Sequence, residues 1–164
     1  MISPLLFNIY SEMIFRVLND EEGIQIGGLK INNLRYADDS VILAESEDDL
    51  QRLVRKVNDE GERFGMAINV SKTKTMVVSR KKEIPCVSIQ ICDTLIEQVS
   101  KFVYLGQTVT EDGKCDTAIK QRIEIARSVF MKMEKIVCCR SINFELRCRI
   151  WKCYICSTLL YGIE

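Results

Sequence analysis

The chain contains no histidine among its 164 residues. Histidine is the general base of Ser-His-Asp and Cys-His nucleophile systems and a ligand in many zinc sites. Its absence excludes all of these arrangements from this chain. Any chemistry here must therefore depend on carboxylates, lysines or thiols.

Long apolar runs are also missing. No stretch approaches the roughly 20 uninterrupted apolar residues that a membrane span needs. The opening residues, Met-Ile-Ser-Pro, lack the basic region of a signal peptide. We therefore expect no membrane association and an intracellular protein of the cytoplasm or nucleus that is not secreted.

Eight cysteines are present, and nothing in the sequence directs the chain to an oxidising compartment. We expect reduced thiols that pack mostly as small apolar groups. Four thiolates suffice for a structural zinc site, but the cysteines from Cys138 to Cys156 lack a Cys-x2-Cys pair on each side. Buried thiols are the favoured interpretation of this group.

Net charge is zero, but the charges are unevenly distributed. Residues 1–64 hold 7 Lys and Arg against 13 Asp and Glu, a balance of −6, whereas residues 114–152 hold 10 against 4, a balance of +6. The 47% of hydrophobic residues is enough to form a core. A basic second part can therefore face a polyanion although the whole chain is neutral.

Apolar spacing predicts an α+β chain. Helices are expected at residues 4–19, 47–64 and 116–138 and from Asn143 through Leu159. Ser3, Ser46 and Asn143 are the candidate N-caps. We expect the second helix to cover one side of an antiparallel sheet, and we place a boundary near Gly113 between this mixed unit, residues 1–113, and a helical hairpin, residues 114–164.

Short alternating runs predict the strands of that sheet. They are expected at residues 24–26, 29–31, 34–43 (as a hairpin), 74–79, 87–91, 94–96 and 102–105. The hairpin at residues 34–43 has Asp38 and Asp39 near its tip. The loop Arg80-Lys81-Lys82 separates the later strands from the earlier ones.

The tetrapeptide Tyr36-Ala37-Asp38-Asp39 has two interpretations. Asp is common in tight turns, so the acidic pair fits a plain hairpin turn. However, adjacent carboxylates repel, and burying them between Leu34 and Ile42 would be costly without a counter-charge. A divalent cation would offset that cost, and Mg²⁺ takes carboxylate oxygens together with substrate phosphates.

Five stretches in order resemble the reverse transcriptases of non-LTR (LINE-type) retrotransposons. They are Ser3-Pro4-Leu5-Leu6-Phe7-Asn8, Tyr36-Ala37-Asp38-Asp39, Gly65-Met66-Ala67-Ile68-Asn69 with Lys72-Thr73-Lys74, Phe102-Val103-Tyr104-Leu105-Gly106, and the helices from residue 116. One tetrapeptide recurs by chance, but five ordered motifs across nearly the whole chain are specific. The resemblance implies a partial polymerase palm, which includes a primer-grip-like hairpin, followed by a thumb-like helical segment.

The resemblance also implies roles for particular residues. Asp38 and Asp39 would bind Mg²⁺, with Mn²⁺ as a possible substitute, and Lys72 or Lys74 would be the general acid, with Lys72 favoured. RNA template and DNA primer would be the partners of the chain. Their candidate contacts are Tyr36, Tyr104, Leu105, Gly106, Lys120 and Arg127, and Arg122, Lys132 and Lys135 could also contact phosphates. For each of these residues an ordinary strand, loop or solvated helix position is the alternative.

By the same resemblance, the fingers and the other essential palm Asp are expected to be missing. Glu12 lies within a helix and residues 20–22 lie beyond its end, so no replacement is apparent. We therefore expect the chain alone to be inactive, with an uncovered apolar face that favours self-association or binding of the missing segment. A non-catalytic nucleic-acid-binding module derived from a retrotransposon and a plain helical interaction domain are the alternative functions.

Overall fold

The computed structural model describes residues 3–21, 23–81 and 83–162, and for residues 3 and 4 the backbone alone. The predicted cap by the Ser3 side chain, the Lys82 charge and Glu22 lie outside the described residues. The chain divides into two compact units. The first comprises Met1–Val77 and Pro85–Val99, and the second comprises Val78–Ile84 and Ser100–Glu164.

Two helices form the framework of the first unit. Helix α1 spans Ser3–Phe15 and continues as a 3₁₀ turn, Arg16–Leu18. Helix α2 spans Glu47–Arg63. As predicted, Ser46 caps α2 by accepting a hydrogen bond from the Asp49 N–H, at 3.2 Å, and the acidic first turn suits the positive end of the helix dipole.

Three hairpins complete the first unit. Strands β1 (Ile24–Ile26) and β2 (Leu29–Ile31), β3 (Asn33–Tyr36) and β4 (Asp39–Ile42), and β5 (Gln90–Ile91) and β6 (Thr94–Leu95) pair antiparallel. Each described strand pairs only with the other strand of its own hairpin. The α+β class is confirmed, but the described strands form separate two-stranded ribbons, so α2 does not cover one continuous sheet.

Helix α2 is central to the core of the first unit. Leu53 and Val57 pack with residues from the end of α1 and the 3₁₀ turn, namely Ile14, Phe15 and Leu18. Val54 packs instead with Ile89, Ile91 and Ile96 around the β5–β6 hairpin. Gln51 also pairs with both backbone groups of Gln90, at 2.9 and 2.8 Å. Helix α2 thus contributes to both core clusters of the first unit, because the adjacent side chains of Leu53 and Val54 pack into different clusters.

The predicted strand at residues 74–79 is not formed. Thr75 instead makes an isolated parallel bridge with Gln98, and its N–H donates to the Glu97 carbonyl at 3.0 Å. Thr75 is buried, with 6% of its surface exposed. An extended run pairs only where a partner strand lies alongside, and here the partner offers a single bridge.

A carboxylate near the end of α1 ties that region to α2. The Glu21 carboxylate pairs with the Lys56 ammonium and, at 3.3 Å, with the Arg52 guanidinium. The hydrogen bond from Lys56, followed by the charges of Lys56 and Arg52, holds the pKa of Glu21 below its ordinary value of 4.5, against the opposing effect of burial.

This pairing predicts a pH-dependent contribution to stability. Because the folded pKa of Glu21 is depressed, its contribution is present above pH 4.5 and is lost as the pH falls through the folded pKa. We expect Glu21→Gln to lower the urea midpoint at pH 7, by less than a core truncation would, and the difference from wild type to shrink by pH 3. Glu45→Gln, at an exposed carboxylate, is the control. An equal loss at both pH values would contradict this assignment.

The second unit combines a hairpin with helices. Strands β7 (Lys101–Tyr104) and β8 (Gln107–Thr110) pair antiparallel and are followed by α3 (Asp116–Val137). Helix α4 (Phe144–Ile150), a π-helical stretch at Trp151–Cys156 and α5 (Ser157–Leu160) complete it. Asn143 caps α4 as predicted, accepting from the Glu145 N–H at 2.8 Å. The β7–β8 hairpin thus lies in one compact unit with the helices. The assignment of palm-like and thumb-like segments on the two sides of Gly113 stays a prediction.

The cysteine prediction is wrong in one respect. All eight cysteines lie among the described residues as free thiols, but five are exposed and three are partly exposed. Their apolar character therefore contributes little to the core. No described helix is both long and apolar enough to cross a membrane.

Candidate functional site

The acidic pair lies at the tip of the β3–β4 hairpin. Tyr36 pairs with Asp39, so Ala37 and Asp38 form a two-residue loop. Ala37 has a φ of +53°, whereas the φ of Asp38 is not positive. A positive φ at only the first of the two loop residues is the pattern of a type II′ hairpin turn. An alanine in this region costs about 1–2 kcal/mol, because its Cβ crowds the following carbonyl. The tip is thus a turn with stored strain, a feature common at functional sites.

The side chains at this tip face solvent. Tyr36 is 65% exposed, and Asp38 and Asp39 are also exposed. In the described part of the chain, neither carboxylate has a hydrogen-bond or ion-pair partner on its side chain. The expected cost of burying the pair therefore does not arise in this structure. Both carboxylates keep their full capacity to bind a cation.

Arg35 anchors the hairpin to α1. Its guanidinium pairs with the Glu12 carboxylate at 2.9 Å, donates to the Ser11 carbonyl at 3.4 Å and lies 5.1 Å from the centre of the Phe15 ring. Sequence reasoning missed this role, although an arginine directly before the motif was a possible signal. From the sequence, Glu12 was considered only as a replacement for the missing metal ligand, but its carboxylate pairs with Arg35.

Asn32 secures the other end of the hairpin. Its side-chain amide donates to the Leu18 carbonyl at 2.6 Å and to the Glu21 carbonyl at 3.3 Å. The backbone carbonyl of Asn32 accepts a hydrogen bond from the Leu43 N–H at 2.8 Å, which closes the base of the β3–β4 hairpin. No sequence motif marked Asn32 for this role. It connects the hairpin to the end of the α1 region.

The two candidate lysines have different surroundings. Lys74 donates to the Glu97 carboxylate at 2.6 Å. Lys72 is exposed, its N–H donates to the Asn69 carbonyl at 3.1 Å, and its ammonium has no partner in the portion of the chain that the structure describes. Lys72 therefore has the ammonium that is available to a substrate.

The core links the segments that carry these groups. Ile42, at the end of β4, and Ile68, four residues before Lys72, pack against both core clusters of the first unit. The β3–β4 hairpin and the turn at residues 69–72, the Lys72 turn, are thus supported by the same core. Within residues 3–21, 23–81 and 83–162, however, no group of three or more Cys, Asp or Glu side chains is placed to hold a metal ion.

The candidate residues of the second unit lie on a turn and on one helix. Tyr104 ends β7, and Leu105 and Gly106 form the loop to β8, with φ values of +48° and +74°. Lys120 and Arg127 are exposed on α3, and Arg127 pairs with Glu124 at 3.2 Å on the surface. A surface pair of this kind is weak, so Arg127 can exchange its partner for a phosphate.

Comparison with known proteins decides the family. A family model described as reverse transcriptase (RNA-dependent DNA polymerase) matches residues 1–109. The chain belongs to the reverse transcriptase family. The match includes the acidic hairpin, the Lys72 turn and the β7–β8 turn, and it ends before α3.

Individual relatives agree with the reverse transcriptase assignment. The Retrovirus-related Pol polyprotein from type-2 retrotransposable element R2DM of Drosophila melanogaster is 26% identical over 121 residues, 69% of this chain and 11% of that polyprotein. The type-1 element R2 polyprotein of Nasonia vitripennis is 28% identical over 118 residues, 70% of this chain and 10% of that polyprotein. The predicted resemblance to non-LTR retrotransposon reverse transcriptases is confirmed.

A third relative covers more of the chain. A transposon-derived protein of Caenorhabditis elegans, F52C9.6, is 22% identical over 144 residues, which are 86% of this chain and 50% of that protein. By contrast, the chain spans about a tenth of the length of the two polyproteins. The reverse transcriptase match therefore concerns one segment of much longer relatives.

Proposed function

We propose that this chain supplies the metal-binding hairpin of an RNA-directed DNA polymerase that performs template-directed nucleotidyl transfer on an RNA template and a DNA primer. The observation that carries the proposal is the exposed Asp38-Asp39 pair, whose carboxylates have no side-chain partner among the described residues, on a strained hairpin tip anchored by Arg35. Residues 1–113 would correspond to palm with a primer-grip-like hairpin, and residues 114–164 to a thumb-like segment. Such a reaction requires a nucleic-acid template, as found in the cytoplasm or nucleus.

The donor set fits a hard divalent cation. Mg²⁺ is commonly held by one or two carboxylates with waters and substrate phosphates as further ligands, and Asp38 and Asp39 supply two free carboxylates. Mg²⁺, or Mn²⁺ in its place, would supply charge stabilisation at the reacting phosphate. In the protein itself, the hairpin positions the two carboxylates and Tyr36 would contact the primer terminus.

Lys72 is the proposed general acid for the leaving pyrophosphate. Its ammonium is exposed, whereas that of Lys74 is engaged by Glu97. A proton donor must reach the leaving oxygen, and a lysine already held in an ion pair must first break that pair. This difference supports Lys72 over Lys74.

We further propose that the 164 residues alone do not catalyse extension. Two adjacent aspartates alone would supply few ligands for two metal ions, and among the described residues no third carboxylate joins Asp38 and Asp39. A carboxylate supplied by another polypeptide segment would complete the site. Until it does, binding of one weakly held ion is the expected capacity of the hairpin.

Primer extension tests this proposal directly. An RNA template with a DNA primer is incubated with the chain and Mg²⁺ or Mn²⁺, using wild type, Asp38→Ala and the control Asp48→Ala at an exposed position of helix α2. We expect no extension and RNA binding that weakens as salt rises. Extension lost only in Asp38→Ala would support the metal role and contradict inactivity. Extension unchanged in Asp38→Ala would contradict the metal role itself.

A nucleic-acid-binding module without catalysis is the second candidate. The observation that favours it is the exposed basic surface of α3, which includes Lys120, Arg127, Lys132 and Lys135. Contacts from such residues to phosphates would give affinity without sequence choice. Salt-sensitive RNA binding without any Mn²⁺ effect on stability would favour this module over the polymerase segment.

The apolar surface of α1 predicts self-association. Leu5 is 65% exposed, Ile9 56% and Met13 43%, on a helix whose other face packs on α2. Exposed apolar patches of this kind mark interaction surfaces or aggregation sites. We expect Ile9→Glu to shift the chain toward monomer in sedimentation velocity, whereas Gln25→Glu at an exposed position of β1, which adds the same charge, leaves its distribution unchanged. Equal association of wild type and Ile9→Glu would exclude α1 as the contact.

A further inference from the structure

We propose that Arg122 and Tyr161 are positioning residues that hold the Leu105–Gly106 turn in one geometry for the end of a primer duplex. The inference rests on the proposed function, because it deepens the role of the β7–β8 hairpin. It adds two residues that the sequence motifs did not mark for this role. Both lie in the second unit, as does the turn itself.

The turn needs external support. Leu105 and Gly106 both have positive φ, +48° and +74°. Glycine adopts the left-handed backbone region without steric cost, but this conformation is unfavourable for leucine by about 1–2 kcal/mol. Strained residues of this kind persist only where the surrounding structure over-determines them. The surrounding contacts of Leu105 should therefore be identifiable.

Those contacts come from Arg122 and Tyr161. The Arg122 guanidinium donates to the Gly106 carbonyl at 2.5 Å, and the Tyr161 hydroxyl donates to the Leu105 carbonyl at 3.0 Å. Arg122 also lies 4.4 Å from the centre of the Tyr161 ring, a cation–π distance. Both carbonyls of the turn are thus held by two side chains that also hold each other.

A third contact closes the arrangement. The Gln107 side-chain amide donates to the Tyr161 carbonyl at 2.6 Å. Gly162, with φ of +71°, allows this approach, because a Cβ there would lie 2.2 Å from the Gln107 Nε2 atom. The glycine at position 162 thus agrees with a close contact between the chain near residue 161 and the turn.

Arg122 therefore differs from its basic neighbours on α3. Lys120 and Arg127 are exposed and available to phosphates, whereas Arg122 is partly buried and its guanidinium serves the turn. The expectation that Arg122 contacts nucleic acid is replaced by a role through Leu105 and Gly106. A turn held in one geometry contributes to orienting a primer end, and small misplacements at such sites have large effects.

Duplex binding tests the inference. Fluorescence anisotropy would measure the Kd of the full chain for an RNA–DNA duplex with a recessed primer 3′ end and for a duplex of equal length whose primer end is closed by a loop. Wild type should prefer the recessed end. Tyr161→Phe and Arg122→Gln should raise Kd for the recessed end by about 3- to 10-fold, as expected for one lost hydrogen bond, and change the closed-duplex Kd less than twofold.

Controls separate positioning from stability and from charge. Arg122→Lys keeps the charge but not the planar guanidinium, so it should behave as Arg122→Gln does, whereas Lys120→Gln should weaken both duplexes equally. Tyr161→Phe removes one hydroxyl and should still unfold in one cooperative thermal transition, with a melting temperature only slightly below that of the wild type. A preference that survives in Tyr161→Phe and Arg122→Gln overturns the positioning role alone. A wild type without any preference overturns the primer role of the turn and this inference with it.

Discussion

Replacing Leu53 with alanine is expected to lower the free energy of unfolding of the first unit by about 3–5 kcal/mol. Leu53 is fully buried, and it packs with Leu18, also fully buried, where α2 meets the end of α1. Truncation removes the buried side chain and leaves a cavity that two helices and their hairpins cannot easily close. A domain with ordinary stability of about 5–15 kcal/mol would lose a large part of it.

Urea denaturation followed by far-UV circular dichroism measures this loss. Leu95→Ala is the matched control, since Leu95 is 59% exposed on β6 of the same unit. Its change should stay within about 0.5 kcal/mol. Similar losses in the two variants would mean that the α1–α2 contact is not the main core of the first unit.

Removing both carboxylates of the hairpin tip is expected to abolish stabilisation by Mn²⁺. Two exposed carboxylates that have no competing partner in the described part of the chain should bind the ion weakly, with Kd on the order of 1 mM. At about ten times that concentration, a ligand that binds only the folded state stabilises it by about 1.4 kcal/mol. Asp38→Asn with Asp39→Asn should eliminate this effect, because an amide oxygen lacks the charge that attracts the cation.

Thermal unfolding with and without Mn²⁺ provides the measurement. The control is Asp48→Asn with Asp59→Asn, which removes the same charge from exposed positions on α2. It should keep the Mn²⁺ response of the wild type. A response lost in both double variants would indicate general screening of acidic charge, and a response kept in both would place the ion elsewhere.

Local signals predicted the helices and the hairpin tip well. Helix α2 was predicted at residues 47–64 and spans Glu47–Arg63, because Ser46 at one end and Gly65 at the other act on adjacent backbone groups. Gly65, with φ of +69°, ends the helix in the usual left-handed conformation. The hairpin predicted with Asp38 and Asp39 near its tip was equally local, since the acidic pair interrupts one apolar run; the structure places Ala37 and Asp38 in the loop and pairs Asp39 with Tyr36.

Strand pairing beyond neighbouring hairpins was not predictable in the same way. The run at residues 74–79 has the alternation of a strand, yet only Thr75 finds a bridge, with Gln98. Periodicity describes the faces of a segment, but pairing depends on whether another backbone lies alongside. The thiols show the same limit, because composition predicted buried cysteines and the structure exposes five of them.

The sequence by itself determined the family, the helices and the position of Asp38 and Asp39 at a hairpin tip, because ordered motifs, caps and turns act over a few residues. Tertiary structure decided which charges are available. The Lys74 ammonium pairs with the Glu97 carboxylate, the Arg35 guanidinium pairs with the Glu12 carboxylate, and the Arg122 guanidinium donates to the Gly106 carbonyl. The two residues of each pair are 16 or more positions apart in the sequence. Such partners meet only when the chain folds, since no local spacing encodes which distant group an ammonium or guanidinium will reach.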